Sequence, residues 1–203
     1  MKTSNLHEIE CWNKNELCIG LDEAGRGPLA GPLVVAGVAF PVGYDSKDIY
    51  DSKKVSEKRR KELFGEIIND ALFFDFRIVT PKEIDELNIY QATKKAMTEI
   101  VAQYEVSLVL TDAMPLDINT NVISLVKGDQ KSCSIAAASI IAKVLRDMLM
   151  DTYDCVYPNY GFSKHKGYPT KMHLEALQKH GAVPIHRKSY GPVASLNQII
   201  LDF

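Results

Sequence analysis

Three short apolar runs in this chain each end at, or shortly before, an acidic residue, and that pattern restricts the fold more than any other feature. Residues 17–21 ("LCIGL") lead into Asp22, residues 107–111 ("SLVLT") into Asp112, and residues 122–126 ("VISLV") stop just before Asp129. Apolar runs this short read as buried strands. Two further runs, 32–40 ("PLVVAGVAF") and 72–79 ("LFFDFRIV"), are rich in β-branched and aromatic residues and read the same way. The first and fourth are separated by "DEAGRGPLAG", which predicts a hairpin or adjacent pair joined by a glycine-rich turn.

Helical signals alternate with these runs. Ser56 opens "SEKRRKELFGEIINDA", where Leu63, Phe64, Ile67, Ile68 and Ala71 fall at helical spacing and Ser56 is placed to cap. Thr80, Pro81 and Glu83 spell a capping box with proline at the first helical position. Asn88 caps a helix expected to run to Tyr104. Residues 135–150 form a helix with small residues in its first turns. Thr170 caps another that stops at Gly181, and a last one covers 193–201. Strands and helices mixed in this way predict α/β architecture with a mixed sheet.

The length of 203 residues suits a single domain. An α/β core over about residues 1–150 and a loop-and-helix part over about 151–203 divide it. No run reaches the roughly 18 apolar residues of a membrane span. Residues 1–16 lack the apolar core of a signal peptide, so a cytoplasmic location and no membrane association are expected. The cysteines, Cys11, Cys18, Cys133 and Cys155, form no C-x-x-C pair and read as free thiols. The net charge of −2 means that any nucleic-acid function rests on a local patch.

The acids carry the chemistry. Ligands of α/β sheets gather beyond strand ends. If the three strands are neighbours, Asp22, Glu23, Asp112 and Asp129 converge there. Clustered carboxylates repel one another, and a divalent cation offsets this. An all-oxygen set favours Mg2+ or Mn2+ over zinc. Two such ions are a standard device for phosphodiester displacement. A single acid after a strand is also what a turn or a helix cap uses. Consecutive acids beside Gly25-Arg26-Gly27 gain nothing from turn chemistry that one would not provide. The glycines permit φ > 0 and close approach of backbone N–H groups, and Arg26 offers a planar donor fork.

Basic and hydroxyl groups supply candidate phosphate contacts. Ser52, Lys53 and Lys54 precede a helix that continues with Lys58, Arg59, Arg60 and Lys61, the last three also explained as a solvated face. Lys164, His165, Lys166 and Tyr168 lie together in "SKHKGYPT", where a tyrosine among cations can stack on a sugar or base or simply tuck onto the core. "HRKSYGP" has the same flavour. Ser139 and Lys143 stand one turn apart on one helix. The histidines, with no H-x-x-x-H, read as surface or capping residues.

In order along the chain, "GLDEAGRGPLAGP", "DSKKVSEKRR", "IDELNI", "VKGD", "AAASIIAKVLRD", "YGFSKHKGYPT" and "HRKSYGPV" together resemble the bacterial type 2 ribonuclease H (ribonuclease HII) family. The resemblance implies an RNase H-like fold: a central five-stranded mixed sheet flanked by helices, with a C-terminal helical extension. It implies an endoribonuclease that hydrolyses the RNA strand of RNA–DNA hybrids and incises 5′ of single ribonucleotides in duplex DNA. Products would carry 5′-phosphate and 3′-hydroxyl ends, and the ions would be Mn2+ or Mg2+. Carried over residue by residue, the metal-binding catalytic acids fall on Asp22, Glu23, Asp112 and Asp129. The recognition turn falls on Gly25, Arg26 and Gly27, the tyrosine at the RNA–DNA junction on Tyr168, and phosphate contacts on Ser52 and Lys53. Ser139, Lys143 and Lys166 join them as substrate-binding candidates.

Two positions depart from the family pattern. Ala113 stands where glycine is usual, adding a Cβ beside Asp112, and Ala136 stands where serine is usual, removing a hydroxyl that could contact phosphate. A monomer is expected. The tail "LNQIILDF" loosely resembles a sliding-clamp peptide. The competing readings are a hybrid-binding module without catalysis, against which the retained acids argue, and another phosphoryl-transfer enzyme on a similar sheet, against which the G-R-G turn argues.

Overall fold

The structure is a computed structural model that describes residues 3, 5–45, 49 and 55–199. Its five strands are β1 (Cys18–Ala24), β2 (Leu33–Ala39), β3 (Phe73–Val79), β4 (Leu108–Asp112) and β5 (Asn121–Leu125). They form one sheet in the order β3-β2-β1-β4-β5. β1 pairs antiparallel with β2, and β2 with β3, whereas β1–β4 and β4–β5 are parallel. Every residue of β2 is buried, as expected for a strand covered on both faces, and this removes the polar alternation from its sequence.

The helices are α1 (Leu6–Trp12), α2 (Glu57–Asp70), α3 (Pro81–Leu87), α4 (Ile89–Val101), α5 (Cys133–Val156), α6 (Phe162–His165), α7 (Lys171–His180) and α8 (Gly191–Ile199). The pleat of β1 sorts its side chains between two cores. Cys18 and Ala24 pack with α5 residues, while Ile19 and Leu21 pack with Ala96, Met97 and Ile100 of α4.

The packing of α5 on β1 sets the geometry of everything that follows. A Cβ on Gly20 would lie 2.3 Å from the backbone of Ser134 and Ile135, so the helix rests directly on the strand there. At the other end, a Cβ on Gly25 would lie 2.1 Å from Nε of Arg146. Five strand residues rise about 16 Å and eleven helical residues about the same. The helix therefore tracks the strand, and α5 residues between positions 135 and 146 face β1 residues between positions 20 and 25. The small, fully buried Ala136, Ala137 and Ala138 permit this approach.

The predicted caps are present. Ser56, Thr80, Asn88 and Thr170 each accept backbone N–H groups of the following turn, and Thr80 and Glu83 complete the capping box. Gly181, with φ +75°, follows α7.

Several boundaries differ from the sequence reading. β1 continues through Asp22 and Glu23 to Ala24, because β2 pairs with it at Ala36, Val35 and Val34. α5 begins two residues earlier than expected. Ser132 caps it, and the buried Glu8 of α1 accepts the Ser132 hydroxyl and the Ser134 N–H. α4 stops at Val101, where Gln103 and Tyr104 switch to three-residue turns. α1 and the one-turn α6 carried no clear sequence signal. The described cysteines form no disulfide, and three of them are buried. Among the described residues, no helix is long and apolar enough to cross a membrane.

Candidate functional site

The parallel strands β1, β4 and β5 end on the same side of the sheet. The register Leu21↔Thr111 brings Asp22 beside Asp112, and Asp112 pairs with Leu125. Asp129 follows in a 3-10 turn, Gly128–Gln130. That turn is shaped around Asp112. Lys127 reverses the chain at φ +57°, and the Gly128 N–H donates to Asp112 Oδ1 at 2.8 Å. A Cβ on Gly128 would lie 2.7 Å from Ile135 Cδ1 and 3.3 Å from Asp112 Cα. "KGD" thus needs its glycine to let Asp112 and Asp129 share one corner.

The electrostatics link the four acids. Asp22 is 6% exposed. Burial first, then the charges of Glu23, Asp112 and Asp129, push its carboxyl well above the usual carboxylate range. The Glu23 N–H, 2.6 Å from Asp22 Oδ1, opposes this. Among the described residues, no three His, Cys, Asp or Glu side chains close on one point as a formed metal cage. The donor chemistry still fits a hard divalent cation: four carboxylates at or just beyond adjoining strand ends, with the buried Asp22 penalised for its charge.

A cleft of about 380 Å³ opens beside Asp22 and Glu23. The Gly25–Gly27 turn forms one wall, Ser139, Lys143 and Arg146 of α5 another, and Tyr168 the mouth. The α5 residues are spaced i, i+4 and i+7, which aligns them on one face. Arg26 reaches back to Glu23, with Nη1 3.4 Å from Oε1. Lys143 Nζ pairs with Asp147 Oδ1 at 2.5 Å.

The two motif glycines differ. Gly25 adopts φ +104° and sits against Arg146, so the fold itself demands it. Gly27 does not have positive φ, and a Cβ there would meet only Tyr168 Cε1, at an ordinary 3.5 Å. Nothing in the described packing requires a glycine at position 27.

The cleft thus gathers Asp22, Glu23, Gly25, Arg26, Gly27, Ser139, Lys143 and Tyr168. Asp112 and Asp129 adjoin Asp22 without lining it. Lys166 does not line it either: its ammonium pairs with Asp151, and it turns the chain at φ +51°. Ser52 and Lys53 lie outside the described residues, as does the last half, residues 200–203, of the clamp-like tail. Ala113 takes φ +50°, the region glycine favours, yet its N–H still donates to Leu125 O at 3.0 Å, so the backbone beside Asp112 keeps its ladder bond. Ala136 is fully buried and does not line the cleft, so a hydroxyl there would not meet a phosphate in it. The reading of the histidines as surface or capping residues is corrected for three of them. His165, His173 and His186 are buried, because the aromatic rings of Tyr160 and Phe162 enclose them.

Two arginines went unnoticed in the sequence. Arg187, fully buried, donates to Gly25 O (2.6 Å), Arg26 O (2.9 Å) and Gly31 O (3.0 and 3.1 Å). Arg146, 1% exposed, donates to Pro32 O (3.0 Å) and Ala30 O (3.3 Å). Burial, then mutual repulsion, pushes the Arg146 guanidinium down to about 10. Together they hold the Gly25–Pro32 loop from beneath by its carbonyls and set two positive charges behind the cleft. The available signal was a lone arginine on the small, apolar stripe of α5, in phase with Ser139.

The family model described as "Ribonuclease HII" matches residues 19–193. The Ribonuclease HII of Lactobacillus helveticus is 46% identical over 190 residues, covering 93% of this chain and 76% of that protein. The crystal structure of the ribonuclease H2 from Pyrococcus horikoshii superposes with a TM-score of 0.75 at 26% identity, covering 92% of this chain and all of that one. The RNase HII of Archaeoglobus fulgidus, solved in a complex with PCNA, superposes with a TM-score of 0.73 at 28% identity, covering 86% of this chain and 95% of that one.

Proposed function

The chain belongs to the ribonuclease HII family and is a ribonuclease H, and from that premise we propose that it cleaves the RNA strand of RNA–DNA hybrids and incises 5′ of a single ribonucleotide embedded in duplex DNA. One observation carries this reading. The acids Asp22 and Glu23 and the turn Gly25–Gly27 line the same cleft, so a sugar inspected by the turn has its phosphate at the carboxylates.

Asp22, Glu23, Asp112 and Asp129 would hold Mg2+ or Mn2+. When bound, such an ion supplies charge neutralisation at the acids and activation of water for in-line attack. The chain's own groups do the rest. The open backbone at Gly27 admits a ribose, whose 2′-hydroxyl distinguishes RNA from DNA. Arg26 and Lys143 offer cations to the adjoining phosphates, positioning the strand without reading bases. Ser139, at the α5 wall, offers a hydroxyl to the same phosphates. Tyr168, 45% exposed at the mouth, packs its ring on the following deoxyribose, where a ribose would clash, and so favours RNA–DNA junctions. Cleavage leaves 5′-phosphate and 3′-hydroxyl ends. A clamp contact through the tail belongs to the same reading, supported by the PCNA complex of the Archaeoglobus fulgidus relative; a pull-down with a tail-truncated chain tests it.

The experiment is cleavage of a duplex containing one ribonucleotide, in manganese. Incision 5′ of the ribonucleotide by the wild type, lost in Asp22→Asn, is expected. No incision by the wild type, full incision by the variant, or preference for an all-DNA duplex would overturn the proposal.

A further inference from the structure

The lobe that carries Tyr168 holds three buried histidines that the functional reading above does not use. His165, His173 and His186 expose 7, 0 and 2% of their surface. The rings of His165 and His173 stack with centroids 4.6 Å apart, and Phe162 meets both edge-on. Imidazoles are poor core fillers unless every ring nitrogen is satisfied. Here all six have a partner, so the polarity is used.

The bonds run in one direction. A backbone carbonyl can only accept and a backbone N–H can only donate, so the ends of a chain of neutral rings dictate its tautomers. Tyr168 O lies 2.9 Å from His173 Nδ1. That nitrogen therefore carries the proton, and His173 Nε2 is an acceptor. His186 Nε2, 3.1 Å away, must donate to it, which leaves His186 Nδ1 to accept. The group facing Nδ1 at 3.0 Å is the Val183 N–H, as this requires. Val183 O, 3.2 Å from the same nitrogen, takes the backbone N–H of His186 instead.

His165 obeys the same logic. Its Nε2 faces Tyr160 O at 2.9 Å, and its Nδ1 receives the Gly167 N–H at 3.2 Å. The Gly167 N–H and the Tyr168 C=O thus each end on a buried imidazole, while Gly167 O accepts the Leu29 N–H from the glycine-rich loop. The scheme needs neutral rings. Burial lowers His173 and pushes His186 down to about 4.

We propose that His186 and His173 form a directional hydrogen-bond relay ending on the Tyr168 carbonyl, that His165, stacked on His173, fixes the neighbouring Gly167 N–H, and that together they position Tyr168 against Gly27 and thereby set how tightly the enzyme holds the sugar on which Tyr168 packs. They are positioning residues, and this inference rests on the substrate reading given above.

The test is steady-state cleavage of the ribonucleotide-containing duplex at saturating metal, using the full chain. Stacking losses imply that Tyr168→Ala raises KM about five- to a hundred-fold. His173→Leu should raise KM about five-fold with kcat within about two-fold, since ground-state and transition-state binding fall together. His173→Asn keeps a donor at the Nδ1 position and should recover most of the loss. The double variant Tyr168→Ala/His173→Leu should have the KM of Tyr168→Ala alone. An unchanged KM in His173→Leu, or effects that multiply in full in the double variant, would overturn the relay.

Should His173→Leu not fold, nitrogen NMR of the wild-type rings answers the same question. Neutral His173 and His186 at neutral pH, with the proton on Nδ1 of the first and Nε2 of the second, support the proposal, and a charge on either of these two rings or the opposite tautomer rejects it. A wild type that does not cleave the duplex would sink the substrate reading instead, with the tautomers still readable.

Discussion

Arg187→Lys keeps a positive charge but removes the guanidinium fork, and the structure says how much that should matter. Arg187 spreads its donors over Gly25 O, Arg26 O, Gly31 O and the Tyr190 hydroxyl, the last at 3.0 Å. No ion pair to a carboxylate is present for it among the described residues. A lysine ammonium offers three donors from a single point and cannot reach carbonyls fanned around a planar fork. One or two buried carbonyls of the Gly25–Pro32 loop are left without a donor. At about 1–3 kcal/mol for each orphaned buried group, the substitution should cost about 1–6 kcal/mol.

That is a large share of the roughly 5–15 kcal/mol that holds a domain together. Urea unfolding reads it as a lower midpoint with an unchanged slope. Because the loop carries Gly25 and Arg26, kcat/KM on a ribonucleotide-containing duplex should fall as well. A loss under about 1 kcal/mol would refute the reasoning, since it would mean that these carbonyls find other partners or water.

Ala113→Gly should stabilise the protein by up to about 1 kcal/mol, because relief of a left-handed alanine outweighs the added freedom of glycine in the unfolded chain; an equal or lower urea midpoint counts against this. Gly27→Ala should leave stability within about 0.5 kcal/mol while weakening duplex binding, whereas Gly25→Ala should unfold the loop or the protein, because its Cβ meets Arg146; equal thermal midpoints for the two would contradict the distinction. Burial and three neighbouring carboxylates raise the folded Asp22 carboxyl above its unfolded value, so the native state binds the extra proton between those two values and stability falls as pH rises through that window. In chelator, Asp22→Asn should therefore be more stable than wild type at neutral pH, with the difference closing as pH falls towards the ordinary carboxylate range, and cleavage should be lost; a variant less stable than wild type at neutral pH would break the argument.

Local chemistry was legible wherever a few consecutive residues decide the outcome. The caps at Ser56, Thr80, Asn88 and Thr170 depend on one side chain reaching the next turn of its own helix, so each could be read before any packing was known. The strand runs ending in Asp22 and Asp112 were equally visible, since continuous apolarity in a short run is what a doubly covered sheet requires. Lys166 shows the limit of such reading: nothing in the basic loop reveals that it stands outside the lining of the cleft and pairs with Asp151, fifteen residues earlier.

By itself, then, the sequence determined the strand-end acids, the glycine-rich turn between β1 and β2, and the helix starts capped by Ser56, Thr80, Asn88 and Thr170, because these rest on nearest-neighbour sterics and hydrogen bonds. Only the tertiary structure decided which acids meet. That depends on β4 pairing with β1 and on Gly128 letting the last turn fold against Asp112. The division of labour between Gly25 and Gly27 was likewise hidden, since it is set by Arg146 more than a hundred residues away. The buried arginines and histidines were unreadable for the same reason. A polar side chain enters an interior only where distant partners satisfy it, and those partners belong to the fold rather than to the neighbouring sequence.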